Sequence, residues 1–221
     1  VILDTRRGSS LSELLFHKVR RDMTIHSKIP SIGLGTYMMS PEEAEEMTYE
    51  AIKIGYRHID TAEVYRNEQG VAKGIERSLS EGLVSRSELF ITTKVFPGNE
   101  IWGQSQKTFD DVTESLDNSL KRLKLEYVDL YLIHSAHANK TRIEQWKALL
   151  ELKSMGKITY AGVANWNIKH LQEINDSDLP LPDTNQIELH PWAQQPELVE
   201  YLQNNNVHII AYSSLVPLST W

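Results

Sequence analysis

The run Tyr127-Val128-Asp129-Leu130-Tyr131-Leu132-Ile133-His134 is apolar at almost every position, without the alternation of a strand that has one wet face. Such a run is a strand buried on both sides, which is the habit of parallel sheets covered by helices. The flanking sequence agrees. Ser40-Pro41-Glu42-Glu43 offers a capping serine, proline at the first helical position and a glutamate three residues after the cap. Apolar residues at 44, 47, 51 and 54 then continue at helical spacing until Gly55. Further helices carry Val71, Ile75 and Leu79; Phe109, Val112, Leu116, Leu120 and Leu123; Ile143, Trp146 and Leu150; Leu171; and Leu198, Val199 and Leu202. Strand-like runs lie between them near 32–36, 57–60, 89–94, 158–163, 184–189 and 207–212.

Seven strand-like segments alternating with six clear helices predict an α/β fold, a (β/α)8 barrel that stops after its seventh strand. A typical barrel of this kind needs about 250 residues, and this chain has 221. The reading is therefore a barrel without its eighth strand, truncated or incomplete. Residues 29–221 read as one domain, because no composition shift divides them. The first 28 are set apart by Arg6, Arg7, Lys18, Arg20, Arg21 and Lys28 around a short apolar patch, Leu11 to Phe16. They read as a variable extension or expression remnant, with Met23 as a natural start and a transit-like leader as the alternative.

Thirty acidic against 23 basic residues, with no dense basic stripe, exclude the electrostatic footprint of a nucleic-acid binder. No apolar run has the length of a membrane span. With no cysteine there is no disulfide, thiolate metal site or cysteine nucleophile, which fits a cytoplasmic protein.

In such a barrel the working residues come from the C-terminal ends of several strands. The stretch Arg57 to Tyr65, RHIDTAEVY, places Asp60 at a strand end and Tyr65 on the following loop. Alone the pair reads as a helix cap and a packed aromatic. Successive strand ends, however, read Asp60, Lys94, His134, Asn165, Gln186 and Tyr212, all polar after apolar runs. An acid, a base, an imidazole and a phenol together make proton-transfer chemistry. A phenol with a pKa of about 10 donates poorly near neutrality. A neighbouring ammonium lowers that pKa, a carboxylate holds the ammonium, and an imidazole orients a carbonyl oxygen.

Gly33-Leu34-Gly35-Thr36, Asp60-Thr61-Ala62-x-x-Tyr65-x-Asn67-Glu68, Lys94, Asp129 to His134, Gly162-Val163-x-Asn165, Asn185-Gln186-x-Glu188-x-His190-Pro191 and Ala211-Tyr212-Ser213 together resemble the aldo-keto reductases, from about Ile29 to Leu218. The resemblance implies that Tyr65 is the general acid, assisted by Lys94 and Asp60, with His134 orienting the carbonyl. It implies a nicotinamide stacked on Tyr212, its carboxamide on Asn165 and Gln186, with Gly35, Thr36 and Ser213 in the same cofactor site. Phe96 and Trp102 would line the substrate pocket. The implied activity is reduction of an aldehyde or ketone by NAD(P)H in a monomer. NADPH is expected over NADH as the family's usual cofactor, although the Lys/Arg segment that grips its 2′-phosphate is missing. A non-catalytic cofactor-binding subunit and an inactive fragment are the alternatives.

Four departures from the family pattern stand out. Ala164 replaces the usual serine, Phe96 stands where tryptophan is common, the hairpin before the first strand is cut short at Ile25 to Lys28, and strand eight is missing. Weaker signals read blandly. His134-x-x-His137 lacks a third metal ligand, and no metal is expected. Asn139-Lys140-Thr141 is a sequon without meaning in the cytoplasm. Trp102, Trp166 and Trp192 line either a pocket or the barrel rim. Asp117 and Lys121 read as an i,i+4 solvated pair.

Overall fold

A computed structural model describes residues 25–216. The expected extension up to residue 24, and the last residues of the family-like stretch from 217 onward, lie outside the described residues. A single sheet contains β1 (Gly33–Gly35), β2 (His58–Asp60), β3 (Phe90–Val95), β4 (Val128–Ile133), β5 (Ile158–Ala164), β6 (Thr184–Glu188) and β7 (His208–Tyr212), in that spatial order. Every neighbouring pair is parallel. Parallel neighbours cannot be joined by a hairpin, so each connection crosses over through a helix.

The helices are α1 (Ile25–Lys28), α2 (Pro41–Lys53), α3 (Glu68–Ser80), α4 (Phe109–Leu123), α5 (Arg142–Ser154), α6 (Ile168–Asp176) and α7 (Pro196–Asn204). The result is seven strands of a (β/α)8 barrel, curled and without the eighth among the described residues. Ser40 caps α2 as its sequence predicts, accepting from Glu43 N at 3.1 Å while Glu43 Oε2 accepts from Ser40 N at 2.7 Å. Gly55, at φ +107°, takes a backbone that L side chains rarely adopt and ends that helix.

Alternation along the strands divides the core in two. On β4, Tyr131 and Ile133 face outward into a cluster with Ile75, Leu116, Leu149, Leu171 and Leu202 of the helices. Leu130 and Leu132 face inward, packed with Phe90, Tyr160, Ala164 and Ile25. That is why the run has no polar face. The shortened lead-in forms the one-turn helix α1, and its Ile25 is buried in the inner cluster. Packing thus reaches back past residue 29 into the stretch read as an extension.

The outer layer has one very close seam. A Cβ on Gly70 would lie 2.0 Å from the Pro41 carbonyl oxygen, and one on Gly74 would lie 2.5 Å from that of Glu45. Glycine at these two positions lets α3 press against α2.

Candidate active site

Parallel strands all point their C-terminal ends the same way, so polar residues at those ends converge at one mouth. Asp60 closes β2, Lys94 is the fifth residue of β3, His134 follows β4, Asn165 follows β5, Gln186 lies within β6 and Tyr212 ends β7. Their side chains meet. Lys94 is 1% exposed and its ammonium forms an ion pair with Asp60. The same Nζ donates to the Thr61 carbonyl at 3.0 Å and faces Tyr65 Oη at 3.5 Å. On its other side Tyr65 Oη lies 3.4 Å from His134 Nε2, the rings edge-on at 5.5 Å. Tyr65 reaches this point on a 3-10 turn, Glu63–Tyr65, and Arg66 after it adopts φ 58°. Tyr37 packs on its ring at 5.1 Å.

Burial, the Asp60 charge and the phenols of Tyr37 and Tyr212 all push the Tyr65 pKa up. This reverses the lowering expected from Lys94 alone, because Asp60 offsets the ammonium and burial disfavours the phenolate. Tyr65 thus keeps its proton near neutrality. Burial first, then the Lys94 charge, pushes the His134 pKa down to about 4 against the pull of Asp60. Its imidazole is neutral at pH 7. Nδ1 is buried without a protein partner. A bare lone pair there costs less than an orphaned N–H, so the proton belongs on Nε2, facing Tyr65.

The candidate cofactor residues form the other wall. Gln186 Nε2 donates to Asp60 Oδ2 at 2.8 Å, bridging the mouth. Tyr212 Oη donates to Asn165 Oδ1 at 2.8 Å, and Asn165 Nδ2 donates to the His134 carbonyl at 3.1 Å. Asn165 and Ser213 both hold left-handed backbones, φ 63° and 51°, and such strain clusters at functional sites. Gly35 is exposed at the end of β1, whereas Thr36 is fully buried, its hydroxyl 3.3 Å from Asn67 Oδ1. Ala164, where a serine would add a hydroxyl, is buried.

Phe96 and Trp102 stack at 6.0 Å with 7° between their planes, and Trp102 also touches His137. The three tryptophans part company here. Trp102 and Trp192 are exposed, whereas Trp166 is buried and belongs to the core. Among the described residues no group of three His, Asp or Glu could hold a metal ion.

The aldo/keto reductase family model matches residues 31–217. The chain belongs to the aldo/keto reductase family. It is 41% identical over 192 residues to methylglyoxal reductase DkgA of Yersinia pestis, covering 86% of this chain and 64% of that protein. It is 36% identical to a D/L-glyceraldehyde reductase of Hypocrea jecorina, covering 88% and 63%. The chain therefore spans a little under two thirds of these relatives' length. Among solved structures, an aldo/keto reductase from Brucella melitensis aligns with a TM-score of 0.76 at 38% identity, over 85% of this chain and 69% of that one. A Bombyx mori aldo-keto reductase in complex with NADP aligns at 0.75 and 35%, over 84% and 62%.

Sequence reasoning assigned no role to several aldo/keto reductase residues that the site uses. Thr61 accepts from Lys94 through its carbonyl, a contact no side-chain pattern reveals. Tyr37 follows directly on the Gly33 to Thr36 motif. Asn67 and Glu68 were visible within the motif, and both side chains turn out to be buried anchors beneath the loop.

Proposed function

We propose that this protein is a nicotinamide-dependent carbonyl reductase in which Tyr65 donates the proton. The observation that carries the proposal is the phenol placed 3.5 Å from the Lys94 ammonium and 3.4 Å from His134 Nε2. The Nε2–H of His134 holds the carbonyl oxygen beside Tyr65 Oη. As that oxygen gains charge, Tyr65 releases its proton to it, and Lys94 stabilises the phenolate left behind. Asp60 and the Thr61 carbonyl hold Lys94 in place.

The donor set at the far wall fits a flat ring bearing a carboxamide. Of two side-chain amides here, Asn165 accepts from the half-buried Tyr212 and Gln186 bonds Asp60, with Ser213 exposed after Tyr212 and Gly35 exposed on β1 beside Asp60. The reduced nicotinamide, when bound, supplies the hydride. Buried Thr36 acts from beneath, bonding the Asp60 carbonyl through its backbone N–H at 2.9 Å. NADPH is the proposed cofactor, supported by the NADP and NADPH complexes among the structural neighbours. Small aldehydes are the proposed substrates, supported by relatives named for methylglyoxal, glyceraldehyde and glyoxal. Phe96 and Trp102 would form the apolar side of their pocket.

The test is oxidation of NADPH and NADH, followed by absorbance, with glyoxal, methylglyoxal and glyceraldehyde. Tyr65→Phe is expected to keep cofactor binding and lose roughly 10²–10⁴-fold in turnover, the range of general acid catalysis. Undiminished turnover in that variant overturns the mechanism.

A further inference from the structure

We infer that Glu63 is a positioning residue that clamps the loop carrying Phe96 and Trp102 to the turn carrying Tyr65, and so sets the apolar wall of the substrate opening. The functional half of this inference rests on the reductase reading above.

Glu63 opens the 3-10 turn that ends at Tyr65. Its Oε1 accepts from the backbone N–H of Phe96 at 2.6 Å and from Lys107 Nζ at 2.7 Å. Phe96 is the first residue beyond β3, whose pairing with β4 ends at Val95 and Ile133. Its amide is thus one the sheet leaves over, and Glu63 takes it. Lys107 lies at the other end of the same loop and also donates to Ser115 Oγ of α4 at 2.5 Å.

The loop base is closed independently. Lys107 N donates to the Pro97 carbonyl at 2.9 Å, and the buried Gln145 donates to the carbonyls of both Pro97 and Lys107 at 2.9 Å. Within the loop, a Cβ on Gly98 would lie 2.1 Å from the Ser105 carbonyl oxygen, so the two limbs press together. The segment from 97 to 107 is therefore one pre-folded unit, and Glu63 ties both its ends to the Tyr65 turn. A cavity of about 540 Å³ lies alongside, lined in part by Glu63, Phe96, Gly98, Ser105 and Lys107.

An ordinary surface pair would not hold it. Glu100 on this loop pairs with Lys140 from the loop after β4, and these two are 51% and 68% exposed, whereas Lys107 and Glu63 are 24% and 16% exposed. Shielding from water, together with a charge-assisted bond to backbone, separates this contact from the exposed pairs.

The test compares Glu63→Ala, which removes both bonds, with Glu63→Gln, which keeps an acceptor for Phe96 N and loses the ion pair. Amide hydrogen exchange across 96–107 is expected to quicken about tenfold or more in Glu63→Ala and to return most of the way in Glu63→Gln. With NADPH, KM for an aromatic aldehyde that reaches Phe96 and Trp102 is expected to rise about tenfold in Glu63→Ala. Its kcat, and KM for glyoxal, should stay within about twofold, with Glu63→Gln restoring KM. Unchanged exchange in Glu63→Ala overturns the clamp. Faster exchange with an unchanged ratio of the two KM values overturns the positioning role. Faster exchange in a protein that turns over no aldehyde supports the clamp and overturns the reductase reading instead.

Discussion

Asn67 is fully buried and uses every hydrogen-bonding position of its amide. Nδ2 donates to the carbonyls of Thr36 and Met39 at 2.7 and 3.1 Å, and Oδ1 accepts from the hydroxyls of Thr61 and Thr36 at 2.9 and 3.3 Å. One side chain, two residues after Tyr65, thereby joins the loop after β1 to the loop after β2. Asn67→Leu would keep a similar volume but leave two carbonyls and two hydroxyls without this partner. Destabilisation of about 2–4 kcal/mol is expected, read as a shift in the urea midpoint at constant slope. Glu68 beside it is as deeply set, bonded to Thr93 Oγ1 and Arg122 Nε at 2.6 Å each. Both residues were legible as part of a motif. Their work was not, because their partners come from positions as far away as 36 and 122.

At the scale of elements, the α2–α3 seam makes a sharp prediction. In Gly74→Ala the new methyl meets the Glu45 carbonyl oxygen at 2.5 Å and the Thr48 side chain at 2.8 Å. Both helices must part, and overpacking of this kind costs about 1–3 kcal/mol despite alanine's better helix propensity. A thermal melt that rises on this substitution would show the seam to be looser than described. Helix and strand positions were largely legible from period and caps, as at Ser40 and along β4. Sidedness between elements was not. Asp117 was paired with Lys121 by helical spacing, yet it binds Lys157 at 2.6 Å from the loop before β5. Trp102 and Trp166 both follow strand ends, and only the packed structure sends one to the mouth and the other into the core. Glu63 gave no sequence signal beyond its place between Asp60 and Tyr65.

For the whole molecule, the barrel interior holds two neutral histidines. His58, bonded to Thr92 Oγ1 at 2.9 Å, has its pKa pushed down to about 4 by burial and by Lys94, as His134 does. Each folded-state value lies below the unfolded value of about 6.5, so the unfolded chain binds more protons between them. The stabilisation is complete above about pH 6.5 and is lost as pH falls toward 4. Each histidine is expected to withdraw roughly 2 kcal/mol by pH 4.5. Urea titrations at pH 7 and 4.5 measure the drop, and His58→Gln, which cannot titrate, should shrink it by about one histidine's share. Sequence alternation did not flag His58, because a strand wet on neither face offers no contrast to read.

The bond from Gln186 to Asp60 spans 126 positions of chain. Every member of the proposed proton-donating group lies between residues 60 and 134, whereas Asn165, Gln186, Tyr212 and Ser213 all come later. The first four strands carry the proposed acid, and the next three carry most of the proposed cofactor contacts. At the mouth, beyond the pairing of β4 with β5, Gln186 bonds Asp60 and Asn165 bonds the His134 carbonyl across these halves. On the proposed reading, a chain whose early strands have paired holds the proton donor before most of the cofactor contacts are in place. Emergence of the growing chain, and any later divergence of the sequence, meet these two capacities one after the other.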